Sequence, residues 1–232
     1  IFGLHVWPHL PTGTIGSRAG TFLAAAGELE ITLRGKGGHA AMPHLCIDPG
    51  ATAAKVITEL QTIISRNLDP LDSGVISITT IHGGDAHNVI PETVKLTGTI
   101  RALTTERFVW LKDRVVAMTN QIAAANECSA TIEIPGHPYP PTVNDAGLWT
   151  EVKNFAGELL GSGSVHEIPP VMGGEDFAFY TERIPGCFVG LGVRNESTGC
   201  THHVHHPLFK VDEDALPIGS ALHASFAFRH LT

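Results

Sequence analysis

No two of the four cysteines, Cys46, Cys128, Cys187 and Cys200, form a Cys-x-x-Cys pair, which removes the zinc-ribbon and thioredoxin-like readings. Buried free thiols are the expectation. Basic residues are scarce as well: 15 Lys and Arg stand against 23 Asp and Glu, a formal charge of -8, so no polyanion-binding face is expected. No apolar run approaches the roughly 18 residues of a membrane helix, and no basic segment leads into an apolar one at the start. The chain therefore reads as soluble, with a cytoplasmic location expected and neither nucleic acid nor membrane as partner. An initiator methionine is also lacking, and Ile1-Phe2-Gly3-Leu4-His5-Val6-Trp7 opens inside what reads as a buried strand. Such a strand needs paired edges and covered faces, so a fragment is the expectation.

What is present suffices for a core. The 232 residues, 43% hydrophobic and 16% charged, have room for one large domain or two small ones. Residues 27–35 alternate Leu29, Ile31 and Leu33 with Glu28, Glu30, Thr32 and Arg34, the period of a half-buried strand. A helix is expected from Pro49 to Arg66, capped by Asp48, with Ala53, Val56, Ile57, Leu60, Ile63 and Ile64 on its apolar face. Residues 73–84 and 92–102 read as strands. Thr104-Thr105-Glu106 opens a second helix carrying Phe108, Leu111, Val115, Met118 and Ile122, and residues 129–136 read as a fourth strand. The order β-α-β-β-α-β is that of a ferredoxin-like α+β module, expected over 27–136.

The flanks, 1–26 and 137–232, read as parts of one α/β domain into which the module is inserted. The second flank carries a helix near Asn144 to Leu160, a short strand near Val165, the apolar strand IPGCFVGLG, and a last helix from about Asp212 whose acidic start suits its dipole. Histidine is the residue of interest. THHVHHPLF, residues 201–209, holds four, and His5 lies between an apolar run and Pro8, where a strand end could present a ligand. Taken alone, His5 and His205 fit a metal ligand and a structural histidine equally well. His39 sits on the Gly-rich turn RGKGGHAAMPH, where backbone can come close to a ligand.

Five stretches, FGLHVWPHLPTG, GKGGHAAMPH, HNVIPETVKLTGTIR, MGGEDFAFY and HHPLFKVDEDALPIGSALHA, together resemble the amidohydrolase branch of the di-metal aminoacylase/carboxypeptidase metallopeptidases. That branch includes hippurate hydrolases, N-acyl-amino-acid deacetylases and auxin–amino acid conjugate hydrolases. The resemblance implies a catalytic domain with two divalent metal ions, zinc or manganese with cobalt or nickel as alternatives, and an inserted ferredoxin-like lid that also makes a homodimer contact. It implies that His5 and His205 are metal ligands, with His206 standing where the family has Ser, and that His202, His203 and His206 are loop or supporting residues. It further implies that His39 reaches the partner subunit's site to stabilise the oxyanion, and that Asn88 and Arg101 hold an N-acyl amino acid or related conjugate. By themselves Asn88 could cap a turn and Arg101 could be a solvated strand residue. Glu175 is assigned to the lining of the substrate site, with Gly174 where the family has Ser, and His44 lies near the shared edge.

The family's Cys-Gly-His-Asp-x-His run and adjacent Glu-Glu pair, which supply further ligands and the general base, have no counterpart here. The chain alone is therefore expected to be inactive, as part of an active parent. The rival reading is a non-catalytic ferredoxin-like dimerisation or binding module.

Overall fold

The computed structural model describes residues 1–231. In chain order the strands are β1 (Phe2–Pro11), β2 (Ile15–Ser17), β3 (Gly20–Leu23), β4 (Ala25–Arg34), β5 (Gly38–His39) and β6 (Gly74–His82). They continue with β7 (Val89–Ile90), β8 (Thr93–Ala102), β9 (Ser129–Glu133), β10 (Thr142–Asn144), β11 (Val165–Glu167) and β12 (Cys187–Arg194). The α-helices are α1 (Pro49–Thr62), α2 (Thr105–Ala125), α3 (Ala146–Leu160), α4 (Ala178–Thr181) and α5 (Ala215–Leu231). The chain divides into two compact units. The first holds Ile1–Leu23, Thr142–Val171 and the chain from Glu175 onward; the second holds Ala24–Pro141 and Met172–Gly174.

In the second unit the antiparallel sheet runs β6-β8-β4-β9, with α1 between β4 and β6 and α2 between β8 and β9. The alternation seen in the sequence sorts the faces: Leu29, Ile31 and Leu33 are fully buried with Leu96 and Ile100 against Val56 and Leu60 of α1 and Leu111 and Val115 of α2. Glu28 and Arg34 are exposed, and a Lys95–Glu30 ion pair and a Thr80–Thr97 hydroxyl contact mark the polar face. Asp48 caps α1 by accepting from the N–H groups of Gly50 and Ala51. The helix ends at Thr62 rather than Arg66 and widens into a π turn over Ile63–Asn67, closed by Leu68 N–H donating to Ile63 O. That i to i+5 bond lets both Ile63 and Leu68 enter the core, which a regular helix would not allow.

The first unit is built on a sheet of order β1-β12-β2-β11, in which β1 and β12 run parallel and β2 lies antiparallel to β12. A separate antiparallel pair joins β3 and β10. Ile15, Val189 and Leu191 pack against Trp149, Val152 and Phe155 of α3 and Leu222 of α5, while Phe22, Phe177 and Phe188 form a second cluster with Trp7. The short strands β2, β3 and β10 are absent from the sequence reading because each has too few residues to show alternation. The last helix begins at Ala215, not Asp212. Asp212 is buried, and its carboxylate accepts from Thr12 Oγ1 and Asn195 Nδ2, both at 2.8 Å, so it ties two loops together.

Candidate functional site

His5 does not stand at a strand end. It pairs with Gly190 near the middle of β1, which continues past Pro8 to Pro11. The strand survives because β1 is a sheet edge, where the missing proline N–H costs no ladder bond, and because the register slips between Trp7 and Pro11. His5 is half-buried, and its Nδ1 donates to Val6 O at 2.7 Å. That bond sets the tautomer, leaving the lone pair on Nε2 available to a cation, the arrangement commonly found for histidine ligands.

Glu175 lies in the same unit and interacts electrostatically with His5. Its carboxyl is raised above the ordinary glutamate value, chiefly by burial and next by its hydrogen bond to Asp176; the Phe177 N–H and His5 pull the other way. In the sequence Asp176 reads as a possible cap, with Glu175, of the following helix; here that helix has no side-chain cap and Asp176 is instead the hydrogen-bond partner of Glu175. The assigned substrate-lining residue is thus one of a carboxyl pair near a histidine.

The histidine-rich loop resolves into pairs. His202 and His206 stack at 4.2 Å between ring centroids, and His203 lies 4.5 Å from His9. His206 Nδ1 accepts from Leu208 N–H at 3.1 Å, which gives it a turn-forming role. His205 belongs to neither pair. It is exposed and takes a left-handed backbone, φ 65°, a conformation that costs a non-glycine residue about 1–2 kcal/mol and that tends to be kept at functional positions. Histidine nitrogens and a carboxylate are a donor set suited to zinc or manganese, so the residue types fit a divalent ion. The set is not complete: among the described residues no group of three His, Cys, Asp or Glu side chains is placed to hold one.

In the second unit, His39 and Asn88 are brought together by the two-residue ladder of β5 and β7. His39 pairs with Val89, and Ala40 N–H donates to Asn88 O at 3.0 Å. Both side chains are exposed. Ala41 N–H donates to His39 Nδ1 at 3.1 Å, which requires the lone pair there and so places the ring proton on Nε2. The Gly37-Gly38 pair before it serves close approach: a Cβ on Gly37 would fall 2.8 Å from Ile90 O, and one on Gly38 would fall 2.6 Å from Cys46 Sγ. Arg101, readable from its alternating strand as a solvated residue, is instead half-buried, and its Nη1 donates to Met172 O at 2.8 Å. His44 is exposed in the short 3-10 turn Pro43–Leu45.

The family model of peptidase family M20/M25/M40 matches residues 1–229. The chain belongs to that family. It is 43% identical over 234 residues to IAA-amino acid hydrolase ILR1-like 2 of Arabidopsis thaliana, a match covering 100% of this chain and 53% of that protein. It is 40% identical over 228 residues to N-acetylcysteine deacetylase of Bacillus subtilis, covering 98% and 58% respectively. Its fold matches that of a Bacillus subtilis dinuclear metal binding peptidase from the M20 family with a TM-score of 0.76 and 33% identity, over 97% of this chain and 55% of that one. A methicillin resistant Staphylococcus aureus protein superposes with a TM-score of 0.87 at 27% identity, over 100% of this chain and 59% of that one. The chain spans about half the length of the curated relatives it matches. Among the described residues no helix is long and apolar enough to cross a membrane.

Proposed function

We propose that this M20-family chain belongs to a metal-dependent amidohydrolase that cleaves the amide bond of N-acyl amino acids or related conjugates. The observation that carries the reading is the whole-chain identity of 40% or more to two relatives named for removing an acyl group from an amino acid. In this reading residues 27–136 form a ferredoxin-like lid and homodimer contact, and residues 1–26 and 137–232 belong to the catalytic domain. The β-α-β-β-α-β order and the sheet order β6-β8-β4-β9 support the lid assignment.

His5 and His205 would serve as ligands to divalent ions, zinc or manganese, with the Val6 carbonyl accepting from His5 Nδ1 so that the lone pair is left on Nε2. When bound, such ions lower the pKa of a water and polarise the scissile carbonyl. His39 donates from Nε2 to the carbonyl oxygen as negative charge grows there; the Ala41 N–H on Nδ1 keeps the proton on the donating nitrogen. In a dimer this histidine would serve the partner's site. Asn88 and the donors of Arg101 not bound to Met172 orient the substrate, the guanidinium meeting its free carboxylate. Glu175 lines the site as a carboxyl whose pKa burial raises above the ordinary glutamate value.

The sequence contains no adjacent glutamates and no Cys-Gly-His-Asp-x-His run. Hydrolysis in this reading draws its base and remaining ligands from polypeptide outside the 232 residues, and the chain alone is inactive. Metal content and hydrolysis of N-acetyl- and N-benzoyl-amino acids should be measured on the chain and on a form extended through any coding sequence in frame before it. Activity and about two bound metals confined to the extended form are expected. A metal-free, inactive dimer in both forms would favour a dimerisation module instead.

A further inference from the structure

The Met172–Gly174 segment groups with the second unit although the chain reaches it from the first and returns to the first at Glu175. Three contacts hold it there. Arg101 Nη1 donates to Met172 O at 2.8 Å, and Ala24 N–H donates to Gly173 O at 2.9 Å. Gly174 packs so closely that a Cβ on it would fall 2.8 Å from Ala26 Cβ and 3.1 Å from the Tyr139 ring. Ala26 and Tyr139 are themselves locked by reciprocal main-chain bonds of 3.0 and 2.8 Å. The segment is therefore a three-residue strap pressed on one end of β4, and Arg101, from the paired position opposite Ala26 on β8, is the side chain that pins it.

We propose that Arg101 is a positioning residue that clamps the Met172–Gly174 strap onto the β4–β8 ladder, so fixing the point from which the chain leaves toward Glu175. An arginine suits this task because a charged donor to a carbonyl is stronger than a neutral one and the long stem can be half-buried while the fork stays directed. The same geometry explains Gly174: only a residue without a side chain lets the strap lie against Ala26. Arg101 then has a role that needs no substrate, and a carboxylate ligand would use only the donors left over.

Amide hydrogen exchange on the intact chain tests this without metal or substrate, so its outcome is independent of whether the hydrolase reading holds. Arg101→Ala should speed exchange of the Ala24 amide about tenfold, as the strap carrying its acceptor loosens, while Ala26, Tyr139 and the core amide of Ile31 keep their rates. Arg101→Lys, which retains a charged donor, should restore part of the protection. Gly174→Ala should reproduce the selective loss with Arg101 in place, and adding Ala26→Gly should reverse it by reopening the space. An unchanged Ala24 rate in Arg101→Ala would overturn the clamp. So would equal acceleration of all four amides, which would mark Arg101 as a residue of general stability.

Discussion

Single side chains decide more of this protein than their number suggests. Asn144 is buried at the end of β10, where its Nδ2 donates to Ser17 Oγ, Arg18 O and Phe188 O at 2.8–3.0 Å and its Oδ1 accepts from Phe188 N–H at 2.7 Å. Four groups from two segments are met by one amide, and removing it leaves the Phe188 N–H and Arg18 O without that partner away from water. Asn144→Ala is expected to cost about 1–3 kcal/mol in urea unfolding. Asn144→Asp should cost more, because a carboxylate would face two carbonyl oxygens that it cannot donate to. A loss under about 0.5 kcal/mol in both variants would show that water replaces the amide. In the sequence Asn144 reads as the start of the following helix; that helix begins at Ala146, and no pattern marks Asn144 as the buried end of β10. His5 and His39 stood out in the sequence by their motifs, but the bonds that orient their rings, to Val6 O and from Ala41 N–H, come from local backbone geometry.

Among the elements, the β6–β8 ladder shows where packing rather than pattern chooses the residue. Gly98 falls in the inward row of Val94, Leu96 and Ile100, so its position suits an apolar side chain. The ladder slips between Ile78 and Thr80, and the resulting bulge brings Ser77 O to 1.9 Å from where a Gly98 Cβ would lie. Gly98→Val is therefore expected to destabilise the second unit by about 1–3 kcal/mol or more despite its β propensity, read as a lower denaturant midpoint. Equal or higher stability would mean that the bulge can relax. The long strands and helices were legible in the sequence because each repeats its period several times. The π turn after α1 and the edge position that tolerates Pro8 were not, since both depend on what lies across the sheet.

Across the whole molecule, burial controls thiol chemistry and carboxylates control the acid limit. Cys128, Cys187 and Cys200 are buried and Cys46 is partly exposed. The Cys187 thiol is pushed up to about 12, by burial first and by Asp145 next. Alkylation of the native protein near pH 8 should label Cys46 ahead of the other three, which react only on unfolding; early labelling of Cys187 would contradict this burial. The carboxyl of Glu167 is held below its ordinary value by the Trp149 indole N–H and then by Lys153, and that of Asp212 by Asn195 and then Thr12. Each is more acidic folded than unfolded, so its stabilising contribution is present above the ordinary carboxylate range and is lost as pH falls through the folded value. The Tm should stay level from neutral pH to about 5 and fall below about 4, with a shallower fall in Glu167→Gln. An identical acid limb in that variant would remove Glu167 from the account.

The sequence by itself determined the period of each long element, the caps that start α1 and α2, and the motifs by which the family is recognised, because all of these are written in residues a few positions apart. Tertiary structure decided the rest. It made Arg101 a donor to Met172 O, paired Glu175 with Asp176, stacked His202 on His206 and set His203 beside His9 of β1 so that His205 is left aside, and drew Met172–Gly174 into the second unit. The physical reason is that burial, backbone conformation and hydrogen-bond partnership are set by how the chain folds around each residue, and no local pattern encodes which groups meet, whether they are neighbours like Glu175 and Asp176 or distant like Arg101 and Met172.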